Sequence, residues 1–312
     1  MRKIFAIGET LLDIIFSNGK PQTAKAGGAM LNSAVSLGRI NLPVYFISEY
    51  GTDDIGNLVN DFLNENGVDT SMVNRYSDGK TALALAFLDE KNNAHYSFYK
   101  NYPPKRMEIK HHHPLKNDIV LFGSFFSIDP EIREQLMGFI RKAKENGAII
   151  IYDPNFRKSH QDELEKLRPL IIENMKFASI IRGSDEDFRN IFGARDPDQA
   201  WDKVSKYCNC IIYTSSTAGV YVRTSTFSGK FPVKKIKPVS TIGAGDNFNA
   251  GIISALFAKD FNDEEIQNLQ KDLWEKVISA GVEFATNVCL SYDNYIDLAF
   301  ASRYLSASGF QM

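Results

Sequence analysis

Ala148-Ile149-Ile150-Ile151-Tyr152 is an unbroken apolar run, and Asp153-Pro154-Asn155-Phe156-Arg157 follows it at once. A strand covered on both faces reads this way, with apolar side chains to either side and no polar alternation. Similar runs stand at 4–7, 44–48, 119–122, 178–181 and 210–214. Amphipathic segments at 31–39, 55–66, 131–145, 161–173 and 200–207 lie between them, and the C-terminal third holds two more helical patterns, about 246–258 and 264–286. Strand and helix alternating along a whole chain predict an α/β fold, a mostly parallel sheet with helices on both faces. Ligands of such sheets bind at the carboxyl ends of the strands, which is where Asp153–Arg157 would stand. A turn with proline at its second position accounts for the same five residues without function.

Two stretches break the rhythm. Residues 81–88 and 94–100 are strand-like around the polar turn Asp89-Glu90-Lys91-Asn92-Asn93, and residues 11–16 are strand-like directly after the first core strand. These predict a small β lid over one end of the sheet, built from about 10–25 and 80–102. With no repeat and no Pro/Gly-rich linker, the 312 residues read as one domain carrying that lid.

Composition excludes several classes. Lysine and arginine number 36 against 38 aspartates and glutamates, a net charge of −2, so wide neutralisation of nucleic-acid phosphate is not expected. Three cysteines, Cys208, Cys210 and Cys289, form neither a disulfide framework nor a zinc set. Gly8, Glu9 and Asp13 interrupt the first apolar run too early for a signal-peptide core, and no stretch is long enough for a membrane helix. A soluble, cytoplasmic protein is expected. His111-His112-His113 reads as a solvated loop, since three consecutive side chains cannot face one ion. Gly79-Lys80-Thr81 lacks the rest of a Walker A loop and precedes a strand, not a helix.

The strongest local signal is Val239-Ser240-Thr241-Ile242-Gly243-Ala244-Gly245-Asp246-Asn247-Phe248. Small residues at 243–245 open a helix whose first amides and positive dipole end suit an anion such as phosphate. Asp246 beside a phosphate would repel it, unless the carboxylate accepts the proton of an attacking alcohol while the amides hold the phosphoryl group. The plainer reading makes Asp246 an N-cap. A second signal is Ala26-Gly27-Gly28-Ala29-Met30-Leu31-Asn32: paired glycines admit a ligand close to the backbone, and Asn32, with Asp13 upstream, could read hydroxyl groups. A tight turn and surface polarity would explain these residues equally.

Taken together, the two glycine motifs resemble the signatures of the PfkB/ribokinase family of carbohydrate kinases. The resemblance spans the chain: Gly8-Glu9, Asp53 and Gly56, the lid hairpin and Asp153–Arg157 fit it too, and Gly8-Glu9 with Phe98-Tyr99-Lys100 is most similar to fructokinases and 2-keto-3-deoxygluconate kinases. It implies a ribokinase-like α/β/α sandwich that moves the ATP γ-phosphoryl group to a primary sugar hydroxyl with magnesium. In that pattern Asp246 is the base and Gly243, Ala244 and Gly245 form the anion hole. Asp13, Gly27, Gly28, Asn32 and, less directly, Arg157 hold the sugar; Thr214, Ser216 and Gly219 line the nucleotide. The partners are then a sugar and ATP, with a homodimer formed through the lid. Ribose, a nucleoside or 2-keto-3-deoxygluconate are alternative substrates, and a non-catalytic binding protein on the same fold is the alternative of another class.

The chain departs from the family pattern at three places. Ser240 replaces an Asp similar to a monovalent-cation ligand, which puts potassium activation in question. Ser184-Asp185-Glu186-Asp187 stands for Asn-x-x-Glu, leaving Asp187 as an indirect magnesium candidate. Ser216 stands where glycine is usual.

Overall fold

The computed structural model describes residues 2–88, 94–109, 112–259 and 261–308. Its strands are β1 (Ile4–Ile7), β2 (Leu11–Ser17), β3 (Lys20–Gly27), β4 (Val44–Ile47), β5 (Glu49–Gly51), β6 (Val68–Asp69), β7 (Asn74–Tyr76), β8 (Lys80–Leu88), β9 (Ala94–Asn101), β10 (Ile119–Gly123), β11 (Ile149–Asp153), β12 (Ile180–Ser184), β13 (Cys210–Ser215), β14 (Gly219–Thr224) and β15 (Ser228–Phe231). Its helices are α1 (Ala29–Arg39), α2 (Asp54–Glu65), α3 (Arg133–Glu145), α4 (Leu164–Phe177), α5 (Asp185–Phe192), α6 (Pro197–Val204), α7 (Ala244–Ala258), α8 (Asp263–Gln267), α9 (Lys271–Cys289) and α10 (Leu298–Ser308).

Nine strands form one sheet in the order β15-β14-β13-β12-β11-β10-β1-β4-β6, parallel from β13 to β6 and antiparallel at β14 and β15. Successive side chains of a strand serve opposite faces. Ile4 and Ala6 join a core with Val35 of α1, Ile252 of α7 and Phe284 of α9, while Phe5 and Ile7 join one with Phe139 of α3, Ile171 of α4 and Ile191 of α5. The result is the expected α/β/α layering, and it explains why β11 contains only apolar residues before Asp153.

A second sheet, β3-β2-β8-β9, pairs β2 with β8 in parallel and the outer two pairs antiparallel. It occupies the two stretches that lack helices. The turn Asp89–Asn93 and His111 lie outside the described residues; His112 and His113 are exposed.

Local chemistry explains the differences from the sequence reading. The helix expected at 264–286 is two helices, because an Asn262–Glu265 capping box starts α8 and Asn268 ends it before α9 begins. The helix expected at 161–173 starts at Leu164 and runs on to Phe177, after a 3₁₀ turn at Lys158–Glu163. Helix α5 is an addition: it is only eight residues long, and its start is signalled by capping, not by apolar period.

Candidate active site

Gly243 precedes α7 in the left-handed region, φ 76°, and no side chain caps the helix. A Cβ there would lie 2.8 Å from the carbonyl oxygen of Asn294, so only glycine fits the turn. Asp246 is therefore the third residue of the helix and not its N-cap, which corrects the plainer reading. It is 9% exposed, and Asn32 Nδ2 donates to its Oδ2 at 2.8 Å. Ser33 Oγ donates to the Asp246 carbonyl at 2.7 Å. Asn32 and Asp246, 214 positions apart, thus join the two glycine-led helix starts. Burial pushes the Asp246 carboxyl up to about 6; the Asn32 bond opposes this, Asp153 adds to it, and Arg157 and Arg182 oppose it.

On the other side of Asn32, Asp13 lies across β3. A Cβ on Gly27 would meet Asp13 Oδ2 at 2.1 Å, and one on Gly28, at φ 138°, would meet the Glu9 carbonyl oxygen at 2.1 Å. Gly28 is required by close approach to backbone, whereas a side chain at Gly27 would displace the Asp13 carboxylate. Burial, helped by Glu9, pushes the Asp13 carboxyl up to about 6. Glu9 itself accepts from Tyr102 at 2.9 Å and pairs with Lys100 of β9. The phenol of Tyr96 is raised by burial and by Asp13 and lowered by Arg157, and Arg157 also acts on Asp246. Arg157, which follows the carboxyl end of β11, is thus electrostatically linked both to Tyr96 of the small sheet and to Asp246.

Behind Asp246 lies a buried polar network. Asp153 Oδ2 accepts from Arg182 Nη1 at 2.9 Å and from Asn249 Nδ2 at 2.6 Å. Arg182 Nη2 donates to Thr214 Oγ1, 2.9 Å away at the end of β13. After Thr214 the chain turns through Ser216, at φ 28°, to Gly219, at φ 114°, where a Cβ would lie 2.7 Å from the Phe231 carbonyl oxygen.

The model of the family described as "pfkB family carbohydrate kinase" matches residues 1–295. The chain belongs to the PfkB family of carbohydrate kinases. Relatives of this kinase include probable fructokinase-7 of Arabidopsis thaliana, 28% identical over 269 residues covering 81% of this chain and 78% of that one. Fructokinase-1 of Oryza sativa subsp. japonica is 26% identical over 292 residues, 88% of each chain. Among solved structures, the aminoimidazole riboside kinase of Salmonella enterica, complexed with aminoimidazole riboside and an ATP analog, aligns at TM-score 0.83 and 20% identity over 98% of this chain and 99% of that one. The fructokinase of Vibrio cholerae O395 in fructose-, ADP- and calcium-bound form aligns at 0.82 and 19% over the same shares. The fold is ribokinase-like.

Within this kinase the structure accounts for the residues that depart from the family pattern. Ser184 Oγ accepts from the Asp187 amide at 3.2 Å, and Asp187 Oδ2 accepts from the Ser184 amide at 2.7 Å: a capping box that starts α5. Asp187 Oδ2 also accepts from Ser184 Oγ at 2.6 Å, and its Oδ1 accepts from the Phe156 amide at 2.6 Å. Both oxygens are engaged in holding β12, α5 and the residues after β11. Its carboxyl is raised by burial and by Asp153. Ser240 Oγ accepts from the Ile242 amide at 3.2 Å and puts no carboxylate beside the anion turn. Ser216 adopts the positive φ that glycine would take at no cost.

Sequence reasoning missed Arg182, Asn249 and the part played by Asp153. Arg182 carried a usable signal: a basic residue after Ile180-Ile181, in a strand buried on both faces, must find a partner. Asn249 is three residues beyond Asp246, on the same helix face.

Proposed function

We propose that the protein transfers the γ-phosphoryl group of ATP to a primary hydroxyl of a fructose-like sugar. The observation that carries this is Asp246, buried in the first turn of α7 against the uncapped 243–245 turn. A carboxyl pushed up to about 6 is ionised at pH 7 and still basic enough to take the proton of an alcohol as its oxygen bonds to phosphorus. The amides of Gly243, Ala244 and Gly245 face the charge gathering on the transferred group. Asp13 reads sugar hydroxyls beside Gly27 and Gly28, and Arg157 closes the same region. Asn32 Oδ1, buried without a partner, is a ready acceptor for a sugar hydroxyl while Nδ2 orients the base. Thr214, Ser216 and Gly219 line the nucleotide. Magnesium, arriving on the ATP phosphates, supplies positive charge there; Asp187 is not among its ligands. With Ser240 in place of a carboxylate, potassium is not required for turnover.

The four-stranded sheet is the lid of a single kinase domain and, through its outer face, the interface of a homodimer. Register places Asp13, Ala84, Ala86, Tyr96 and Phe98 on one face and Ile14, Phe16, Leu83, Leu85, Phe87 and Tyr99 on the other. Phe87 and Tyr99 are 41% and 59% exposed. A thin sheet apolar on both faces asks for cover on both, and a second copy supplies it for the face turned from the site. We place the enzyme in the cytoplasm, with its ATP supply.

Fructose is favoured because the relatives at 25–28% identity are named fructokinases. The test is ADP formation with ATP, magnesium and a panel of fructose, ribose, a nucleoside and 2-keto-3-deoxygluconate. Fructose should give the highest kcat/KM. Sugar binding with no ADP formed from any member refutes the kinase reading, and preference for another member reassigns the sugar.

A further inference from the structure

Arg182 is 7% exposed near the carboxyl end of β12. One arm of its guanidinium donates to Asp153 on β11 and the other to Thr214 on β13. The same group lies flat under α7: a Cβ on Gly245 would meet Nη1 at 2.8 Å and Nη2 at 3.1 Å, and the guanidinium carbon is 5.5 Å from the centre of the Phe248 ring. Its Nε is buried with no hydrogen-bond partner. One side chain therefore touches the helix that carries Asp246 and the strand that leads into the nucleotide turn.

A buried guanidinium is costly, and an apolar residue of similar volume would be neutral or better for stability if packing were all that mattered. Asp153 balances the charge, and its remaining acceptor capacity is filled by Asn249 and by the Asn155 amide at 3.1 Å. Glycine at 245 is what permits the contact. Any side chain there would push the guanidinium away from the helix turn.

We propose that Arg182 is a positioning residue for phosphoryl transfer: it holds the 243–246 turn against the nucleotide-side strand β13 and places fixed positive charge behind the amides that receive the phosphoryl group. This rests on the reading of Asp246 as base. The groups facing that carboxylate are Asn32 from α1, Asp153 from β11, Arg157 from the segment after it and Arg182 from β12. Removing the Arg182 charge leaves Asp153 less balanced, so Asp246 holds its proton to higher pH.

The experiment compares Arg182→Met and Arg182→Lys with wild type and with Asp246→Asn. In Arg182→Met, kcat should fall roughly 10-fold or more while KM for the sugar stays within about 3-fold. The acid limb of kcat should move up by about one pH unit. Arg182→Lys should keep the acid limb near its wild-type position and recover part of kcat. The ¹³C shift of the Asp246 carboxyl, followed by NMR against pH, should show the same displacement without any turnover. Should Arg182→Met not fold, Arg182→Gln carries the same expectations, since it keeps a donor toward Asp153 without the charge. Wild-type kcat and an unmoved Asp246 titration in the neutral variants overturn the proposal, as does a lysine variant no better than the methionine one. Those results with Asp246→Asn inactive sink the Arg182 proposal alone; an active Asp246→Asn sinks the base assignment beneath it.

Discussion

Replacing Asp246 by asparagine should move activity and stability in opposite directions. The carboxyl titrates near 6 in the fold against an ordinary 3.8, chiefly because burial disfavours its charge. The folded protein therefore keeps a proton that the unfolded chain gives up. The sign follows: stability falls as pH rises from about 4 through 6, and above 6 the whole penalty is present. At about 1.36 kcal/mol per pH unit, the gap amounts to about 3 kcal/mol. The amide carries no charge and can still accept from Asn32, so Asp246→Asn should stabilise the fold by about 1–3 kcal/mol at pH 7.5 and by little near pH 3.5. The same change removes the base and should cut kcat by about 10²–10⁴-fold. Urea unfolding at the two pH values, with ADP formation at pH 7.5, reads both effects. A variant that is less stable than wild type at pH 7.5, or that keeps more than a tenth of the rate, would refute the reasoning.

Other consequences of the geometry can be checked directly. Gly27→Ala puts a methyl 2.1 Å from Asp13 Oδ2; displacing that carboxylate should raise KM for the sugar about 10-fold or more with KM for ATP unchanged, in steady-state kinetics. Asp187→Asn breaks the capping box and should cost about 1–3 kcal/mol in thermal or urea unfolding, while the magnesium concentration giving half-maximal rate stays at the wild-type value. Sedimentation velocity should show a dimer for the wild type, as proposed, and monomers for Phe87→Lys with Tyr99→Lys, on the face of the small sheet turned from Asp13; a wild-type monomer refutes the proposed interface.

The α/β architecture and the ligand-facing turns were legible in the sequence because each is a local matter. A strand buried on both faces is apolar along most of its length, as 149–152 is, and polar residues gather at its carboxyl end, as at Asp153. At 243 a left-handed turn before a helix also stands against a carbonyl oxygen 2.8 Å from where a Cβ would be, which leaves room for glycine alone. Helix α5 was not read from the sequence: its apolar stripe is short, with Phe188 and Ile191 buried, and its clearest mark is the Ser184–Asp187 box. That box also bears on the metal reading. A serine and an aspartate three apart fit a helix start as well as a metal site, and nothing in the spacing tells which partners the carboxylate will find.

What the sequence by itself determined is where backbone chemistry is local: the core strands, the glycine positions and the uncapped helix start at 243. Only the tertiary structure decided which side chains act together. Asn32 reaches Asp246 because α1 and α7 pack on the same face of the sheet, and Arg182 becomes the neighbour of Gly245 because β12 lies between β11 and β13, whose ends supply Asp153 and Thr214. The raised carboxyl of Asp246 has the same origin. Burial sets it, and burial is a property of the packed layers, not of any stretch of chain.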